Sequence, residues 1–252
     1  MLIFIYFLDC FWIAKDIISS GLINRFKYAV AKKVFMALIA GVDEAGRGPL
    51  IGPMVMAGVV IDKNDEAVLQ QMGVKDSKKI APAKRELIFD RIKEVAKDIK
   101  VIIVEPAVID YYVESEHKNL NWLEADKTMD ILNSIDAEMA FIDCPSNNIA
   151  SYTNYLRTKL KVRMQLKVEH KADDKYLVAG AASIIAKVTR DREIEKIKKD
   201  VGEDFGSGYP SDPITREFFQ KNWNKHDKIF RHSWATYKAK QKSISQSSLG
   251  NF

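Results

Sequence analysis

The chain has 252 residues, of which 47% are hydrophobic and 29% are charged, and its formal net charge is +5. This is an ordinary soluble composition, and its length allows one sizeable core or two small domains. The mild positive charge permits a polyanionic partner without requiring one. Two cysteines, Cys10 and Cys144, exclude a disulfide framework, so we expect a reducing, cytoplasmic location.

Residues 1–35 differ from the rest of the chain. Met1 to Ala14 is almost wholly apolar, yet it is shorter than the about 20 residues that span a bilayer. No positive charge precedes it, as a secretory signal requires. Ser19-Ser20-Gly21 resembles a cleavage site, so secretion stays an alternative, as does a helix at a membrane surface. We expect a dispensable N-terminal extension before a natural start at Met36, and no stable membrane partner.

Apolar periodicity and Gly/Pro punctuation predict alternating strands and helices over residues 36–240. The second predicted strand is expected to run antiparallel to the first. Strands followed by alternating helices indicate an α/β sheet. The predicted strands are residues 37–42, 53–62, 101–104, 139–142 and 164–168, and the predicted helices are residues 65–72, 82–98, 120–135, 148–160, 173–200, 212–223 and 233–240.

Two adjacent carboxylates, Asp43 and Glu44, follow the first apolar run. Neighbouring side chains in a strand point to opposite faces. We therefore expect the two to share a metal only if the strand ends there and the chain turns, which Gly46 and Gly48 make easy. The alternative is a polar strand end followed by an ordinary turn.

Four acidic residues lie at the ends of predicted elements: Asp43, Glu44, Asp143 and Asp173. Strand ends converge at one edge of an open α/β sheet, where ligands bind. Grouped carboxylates suit Mg²⁺ or Mn²⁺ rather than zinc, and without a cation their mutual repulsion would favour protonation. The alternative is that these are ordinary surface acids.

Four blocks of sequence resemble the ribonuclease HII family, the type 2 ribonucleases H, and the archaeal branch most closely. The resemblance runs from about residue 38 to 237, and its blocks are Asp43–Pro49, Asp76–Lys79, His170–Asp173 leading into Ala181–Lys187, and Gly206–Asp212. It implies a ribonuclease H-like mixed five-stranded sheet flanked by helices, with a helical C-terminal lobe. We accordingly expect a catalytic core over 36–190, a substrate-binding lobe over 191–237 and a flexible tail over 238–252.

The resemblance implies a monomeric, metal-dependent endoribonuclease. It would hydrolyse the RNA strand of RNA/DNA hybrids and cut at single ribonucleotides embedded in duplex DNA, leaving 5′-phosphate and 3′-hydroxyl ends. The implied ligands of two Mg²⁺ or Mn²⁺ ions, and the implied catalytic residues, are Asp43, Glu44, Asp143 and Asp173. Alternatives are a non-catalytic hybrid-binding module and another nuclease of the same fold, such as a junction resolvase.

The same resemblance implies a set of substrate-binding residues. Gly46, Arg47, Gly48 and Tyr209 would contact the ribonucleotide, whose 2′-hydroxyl distinguishes RNA from DNA. Apart from the resemblance, the positive charge of Lys78 suits a phosphate, with a solvated side chain as the alternative. Ser183 and Lys187 lie one turn apart on the long predicted helix, from which they could reach the duplex backbone.

The C-terminal tail ends in a short motif. Gln246, Leu249 and Phe252 have the spacing of the motif that binds the sliding clamp PCNA. In such a motif one helical turn places the two apolar side chains in a pocket. The alternative is an uncommitted polar tail.

Overall fold

The computed structural model describes residues 37–75 and 80–249, with side chains up to Gln246. The predictions for the extension 1–35, for Lys78 and for Phe252 therefore lie outside the described residues. Within the described ranges, no helix combines the length and the apolar composition needed to cross a membrane.

The described residues form five strands, nine α-helices and two short 3₁₀ turns at 63–65 and 227–229. In chain order the elements are β1 Leu38–Ala45, β2 Met54–Asp62, α1 Glu66–Met72, α2 Pro82–Val95, β3 Asp98–Val104, α3 Pro106–Glu114, α4 Leu120–Leu132, β4 Met139–Asp143, α5 Ile149–Lys159, β5 Gln165–Glu169, α6 Ala172–Lys175, α7 Leu177–Val201, α8 Pro213–Asn222 and α9 Ala235–Leu249.

The five strands form one mixed sheet in the order β3-β2-β1-β4-β5. β2 pairs antiparallel with both β1 and β3, which confirms the predicted pairing of the first two strands. β4 pairs parallel with β1 and β5. β1 is therefore the central strand, and the predicted mixed five-stranded sheet is confirmed.

Each face of the sheet carries its own apolar core. Ala40 and Val42 of β1 join one cluster with residues of α3, α4 and α5, whereas Ile39 and Ala45 join a second cluster with residues of α1, α2 and α7. This split follows from the alternation of side chains along a strand. Functional side chains on β1 must likewise point towards either α4 or α7.

Helix α7 lies unusually close to the central strand. A Cβ atom placed on Gly41 would lie 2.2 Å from the carbonyl oxygen of Val178. The first part of α7 is rich in small residues, and Ala179, Ala181 and Ala182 are completely buried. The missing side chain at Gly41 thus sets the distance between α7 and the sheet.

The C-terminal helices have a separate aromatic cluster. Its members are Leu50, Ile51, Ile194, Phe205, Phe218, Phe219, Phe230 and Tyr237. Ile194 belongs to α7, so one helix crosses the predicted boundary between residues 190 and 191. The functional division into core and lobe stays a prediction.

The structure differs from the predicted helices in three places. No helix was predicted between residues 104 and 120, but Pro106 begins α3 there, where its ring suits the first turn and Ile109 is buried. The long predicted helix is broken at Tyr176, whose backbone is extended, into α6 and α7. The last helix was expected to end near residue 240, but it continues to Leu249. It therefore includes most of the segment 238–252 that was expected to be flexible.

Replacing Gly41 with alanine is expected to lower the free energy of unfolding by about 3 kcal/mol or more, because the new methyl group would meet backbone atoms that cannot rotate away. Gly202→Ala is the control, because nothing lies within 4 Å of its added Cβ. Only the left-handed backbone of Gly202 opposes this substitution, which should lower the free energy of unfolding by about 1 kcal/mol. Urea unfolding of both variants measures these changes. An equal loss of unfolding free energy in the two variants would contradict the close contact between α7 and β1.

Candidate active site

The central strand continues through the two adjacent carboxylates. Asp43 and Glu44 pair with Ala57 and Met56 of β2, so the expectation that the strand ends before them was wrong. The parallel pairing with β4, however, stops at Val42. The edge of β1 that faces β4 is therefore open from Asp43 onward, and this opening provides room for a site without a turn.

Three acidic side chains meet at this opening. Asp43, Glu44 and Asp143 each offer a carboxylate oxygen, and these oxygens lie within 4.8 Å of one another. Asp43 points towards α7, where it hydrogen bonds with Ser183, and Glu44 lies on the opposite face of β1. Asp143 ends β4, and its Oδ1 accepts a hydrogen bond from the backbone N–H of Ala172 at 2.8 Å.

Asp173 lies beside this group without belonging to it. It is the second residue of α6 and is buried, with 4% exposure, and its chain neighbour Ala172 is the one bonded to Asp143. The three-residue acidic group does not include it. Its neighbour Asp174 is exposed. The role of Asp173 as a ligand stays a prediction.

The carboxylates raise each other's pKa. Burial, followed by the charge of Glu44, raises the pKa of Asp43 well above its usual value. Burial and the charges of Glu124 and Asp143 raise the pKa of Glu44 to about 8. The nearby cations Lys187 and Arg47 oppose these shifts without cancelling them.

A further buried acid, Glu124, was missed by the sequence analysis. It lies on α4 with 1% exposure, burial raises its pKa to about 7, and it accepts a hydrogen bond from Arg47. Arg47 also donates to Asn121 Oδ1 at 2.8 Å. Glu124 lies four residues before Thr128 and seven before Ile131, both buried. A charged residue on such a face was the signal available in the sequence.

The donor set of the acidic group fits a hard divalent cation. All its ligand atoms are carboxylate oxygens, which Mg²⁺ and Mn²⁺ prefer. Lys187 and Arg47 only partly offset the effects of burial and of the neighbouring carboxylates on the pKa of Asp43 and Glu44. A divalent cation would offset these effects further and would keep the carboxylates ionised.

The loop after β1 lies against Tyr209. A cavity of about 340 Å³ is lined by Glu44, Ala45, Gly46, Arg47, Gly48, Arg85, Lys187, Arg190, Asp191 and Tyr209. Gly46 has φ +80°, and a Cβ there would lie 2.9 Å from the carbonyl oxygen of Pro53. The structure thus brings Gly46, Arg47, Gly48, Lys187 and Tyr209 together next to Glu44.

Helix α7 presents three functional candidates along one face. Ser183 is completely buried and its hydroxyl contacts Asp43 and accepts from Lys187, so it faces the acids. Arg190, which the sequence analysis missed, lies beneath Tyr209 with its guanidinium carbon 5.5 Å from the ring centre. The i, i+4, i+7 spacing of Ser183, Lys187 and Arg190 was the available signal.

The clamp-binding candidates are only partly described. Gln246 is exposed on α9. The side chain of Leu249 and all of Phe252 lie outside the described residues, so the structure does not bring this set together.

A sheet in this order, with acidic side chains at the open end of its central strand, defines a metal-dependent nuclease of the ribonuclease H fold. The family model described as Ribonuclease HII matches residues 40–237. The chain therefore belongs to the ribonuclease HII family, as its motifs predicted, and is a ribonuclease H that hydrolyses the RNA strand of RNA/DNA hybrids.

Individual relatives agree with this assignment. The ribonuclease HII of Pyrococcus furiosus is 43% identical over 211 residues, covering 82% of this chain and 92% of the relative. The crystal structure of ribonuclease H2 from Pyrococcus horikoshii OT3 matches with a TM-score of 0.76 and 41% identity, over 82% of this chain and 99% of that one.

Two further structures extend the comparison. The PCNA:RNase HII complex from Archaeoglobus fulgidus matches with a TM-score of 0.70 and 39% identity, over 79% and 94% of the chains. Bst-RNase HIII in complex with Mn²⁺ matches with a TM-score of 0.68 over 81% and 69% of the chains. It is 22% identical, so this match concerns the fold alone.

Stability without metal is expected to fall as pH rises from about 5 to about 8. Folding raises the pKa of Glu44 from 4.5 to about 8, so in this window the unfolded chain releases a proton that the folded chain retains. A bound cation needs the ionised carboxylate. The rise in melting temperature caused by Mg²⁺ should therefore be larger at pH 8 than at pH 6.

Thermal melts with EDTA or Mg²⁺ at both pH values measure this difference. Glu44→Gln should make the metal-free melting temperature less dependent on pH. Glu138→Gln, which changes an exposed acid just before the other end of β4, should leave it as in the wild type. A Mg²⁺ effect of the same size at pH 6 and pH 8 would contradict the predicted proton–metal competition.

Proposed function

We propose that this ribonuclease H cuts at single ribonucleotides embedded in duplex DNA as well as in RNA/DNA hybrids. We further propose that it uses two Mg²⁺ or Mn²⁺ ions held by Asp43, Glu44, Asp143 and Asp173. The observation that carries the proposal is the convergence of three carboxylates beside a cavity lined by Tyr209 and basic side chains. The Mn²⁺ complex of the distant fold relative is compatible with such a site.

The acidic group and the basic residues that line the cavity would have different roles at the scissile phosphate. Arg85, Lys187 and Arg190 line the cavity next to Glu44 and would attract the phosphate backbone. The carboxylates would hold the cations, which would lower the pKa of the attacking water and stabilise the leaving oxygen. Cleavage of the bond between phosphorus and the 3′-oxygen leaves 3′-hydroxyl and 5′-phosphate ends.

Ribose recognition is proposed for the loop 46–48 and Tyr209. A Cβ on Gly48 would lie 3.5 Å from the Tyr209 ring, so the glycine lets the loop backbone and the ring border one narrow space. The ring is 39% exposed, and its hydroxyl can bond with a sugar oxygen. Backbone groups of the loop can contact the 2′-hydroxyl at close range, because the two glycines have no side chains.

The role proposed for Arg47 needs refinement. Its guanidinium is bonded to Glu124 and Asn121 of α4, which occupies the group expected to contact substrate. We propose that Arg47 contributes through its backbone, while its side chain ties the loop to α4. Ser183, buried against Asp43, likewise acts by orienting that carboxylate and Lys187.

Asp143→Asn is expected to leave a folded protein and to lower the rate of hydrolysis by roughly a hundredfold or more, the scale on which an electrostatic group at a reacting centre acts. The assay is cleavage of a duplex with one ribonucleotide, with Mg²⁺, with Mn²⁺ and with EDTA. Asp174→Asn is the matched control, because Asp174 is an exposed acid of α6.

The same assay separates the alternatives. Cleavage that EDTA does not abolish, or near-normal turnover of Asp143→Asn, would contradict the metal-dependent site. A hybrid-binding module would retain the substrate uncut, and a junction resolvase would cut a branched substrate that lacks ribose.

We also propose that the C-terminal residues bind the sliding clamp PCNA. A ribonuclease HII of Archaeoglobus fulgidus, 39% identical, has been solved as a PCNA:RNase HII complex. Gln246 is exposed on α9, and Leu249 and Phe252 complete the motif spacing. The cytoplasmic location, the monomeric state and a role in replication and repair stay predictions.

Truncation after Ser245 is expected to abolish binding to PCNA while cleavage of short duplexes stays unchanged, because the removed residues lie beyond the described apolar cluster of the C-terminal helices. Surface plasmon resonance on immobilised clamp measures the first effect. The double substitution Leu249→Ala and Phe252→Ala is the full-length counterpart, with Gln241→Ala as its control. Undiminished clamp binding by either the truncated or the doubly substituted protein would exclude this motif.

A further inference from the structure

The loop 46–52, which follows β1, is held from behind by one arginine of the C-terminal segment. Arg231 Nε donates to the carbonyl oxygen of Gly52 at 3.0 Å. Its Nη1 donates to that of Arg47 at 2.8 Å, and its Nη2 to that of Gly46 at 2.6 Å. One guanidinium therefore binds three carbonyl oxygens of the same loop.

Arg231 is completely buried, with 0% exposure. Burying a charge is costly unless its donors are satisfied, and burial lowers the pKa of Arg231 to about 9, so the guanidinium still carries its charge at neutral pH. The chain thus keeps a buried cation where an apolar side chain could fill the space. The rigid fork of guanidinium donors can reach several acceptors at once, which a lysine ammonium cannot do.

The orientation of two peptide groups follows from these bonds. In a trans peptide the C=O and the next N–H point in opposite directions. With the carbonyls of Gly46 and Arg47 directed at Arg231, the N–H groups of Arg47 and Gly48 point away from it. Residues 46–48 line the cavity that also contains Tyr209, so the orientation of these peptides decides which groups a sugar would meet.

A second side chain of the same segment holds the next residue of the loop. Trp234 Nε1 donates to the carbonyl oxygen of Gly48 at 3.0 Å. The Arg231 guanidinium carbon lies 4.9 Å from the centre of the Trp234 ring, within the range of a cation–π contact. The two side chains therefore form one brace against three consecutive carbonyls.

The segment that carries this brace is itself anchored. Backbone bonds join it to the loop, from Arg231 N to Leu50 O at 2.9 Å and from Gly52 N to Ile229 O at 2.8 Å. Asp110 of α3 accepts from the backbone N–H groups of His232 and Ser233, both at 2.9 Å, and from the Ser233 hydroxyl at 2.6 Å. The position of the loop is thus set from α3 and from the C-terminal segment.

We propose that Arg231 and Trp234 are positioning residues for ribose recognition, which act by fixing the peptide orientations of residues 46–48 opposite Tyr209. This inference rests on the proposed function, because it assumes that the loop contacts the ribonucleotide. Neither side chain belongs to the acidic group, so their loss should affect recognition of the sugar and leave the metal dependence unchanged.

The test uses the full chain with Arg231→Lys and Trp234→Phe. Arg231→Lys keeps the charge and loses the fork, and Trp234→Phe keeps an aromatic ring and loses the N–H. Trp223→Phe is the matched control, because Trp223 packs on Tyr237 in the same aromatic cluster. Two quantities are measured: KM for a duplex with one ribonucleotide, and the inhibition constant of the all-DNA duplex of the same sequence.

In Arg231→Lys, KM for the ribonucleotide duplex is expected to rise about tenfold, the value of one or two hydrogen bonds, towards the inhibition constant of the all-DNA duplex. That constant and the Mg²⁺ dependence should stay at wild-type values. Trp234→Phe should show the same pattern, by about threefold. A partly unfolded enzyme would instead lose kcat with KM unchanged.

The outcomes separate this inference from the function on which it rests. A wild-type enzyme that does not cut the ribonucleotide duplex would overturn the proposed function. One that cuts it but binds both duplexes equally would overturn ribose recognition by the loop in the bound state, and the positioning role with it. A wild-type enzyme that distinguishes them, with Trp234→Phe and Arg231→Lys retaining its KM, would overturn only the positioning role. If Arg231→Lys does not fold, Trp234→Phe decides alone, and an unchanged KM there rejects the proposal.

Discussion

The mutual repulsion of carboxylates at the open end of β1 is the constraint on which the site depends. Asp43 and Glu44 approach Asp143 closely although they lie on opposite faces of the strand. This is possible because β4 stops pairing with β1 one residue earlier. The charge held there exceeds what Lys187 and Arg47 offset, so the folded chain holds a site whose charge calls for a divalent cation.

The charges around the site are distributed between its two sides. On the α7 side, Ser183 hydrogen bonds with Asp43, and Lys187 donates to Ser183 and acts on Asp43 through its charge. On the α4 side, the ion pair of Arg47 with Glu124 ties the loop after β1 to the helix next to Glu44. A buried ion pair adds little stability by itself, but here it fixes the loop relative to the acids. Metal site and proposed substrate loop therefore share one electrostatic network.

Three of the four predicted acids, Asp43, Glu44 and Asp143, lie together. The sequence alone was sufficient for the family, through its motifs, and for the sheet, because alternation, glycine and proline act locally. It was insufficient where a long-range contact decides. β1 continues through Glu44 because β2 pairs with it there, and the helix break at Tyr176 follows α6, whose Ala172 N–H bonds to Asp143 of a different strand. The role of Arg231 could not be predicted from the sequence, because its three carbonyl partners lie about 180 residues earlier.

Helix α7 has a mechanical consequence for how a duplex can bind. Its 25 residues span about 37 Å at 1.5 Å per residue, from the close contact with Gly41 to Ile194 among the C-terminal aromatic rings. A continuous helix has no hinge between these ends, so the two regions cannot pivot independently about residue 190. A duplex that contacts both regions therefore meets them at the separation that this helix sets.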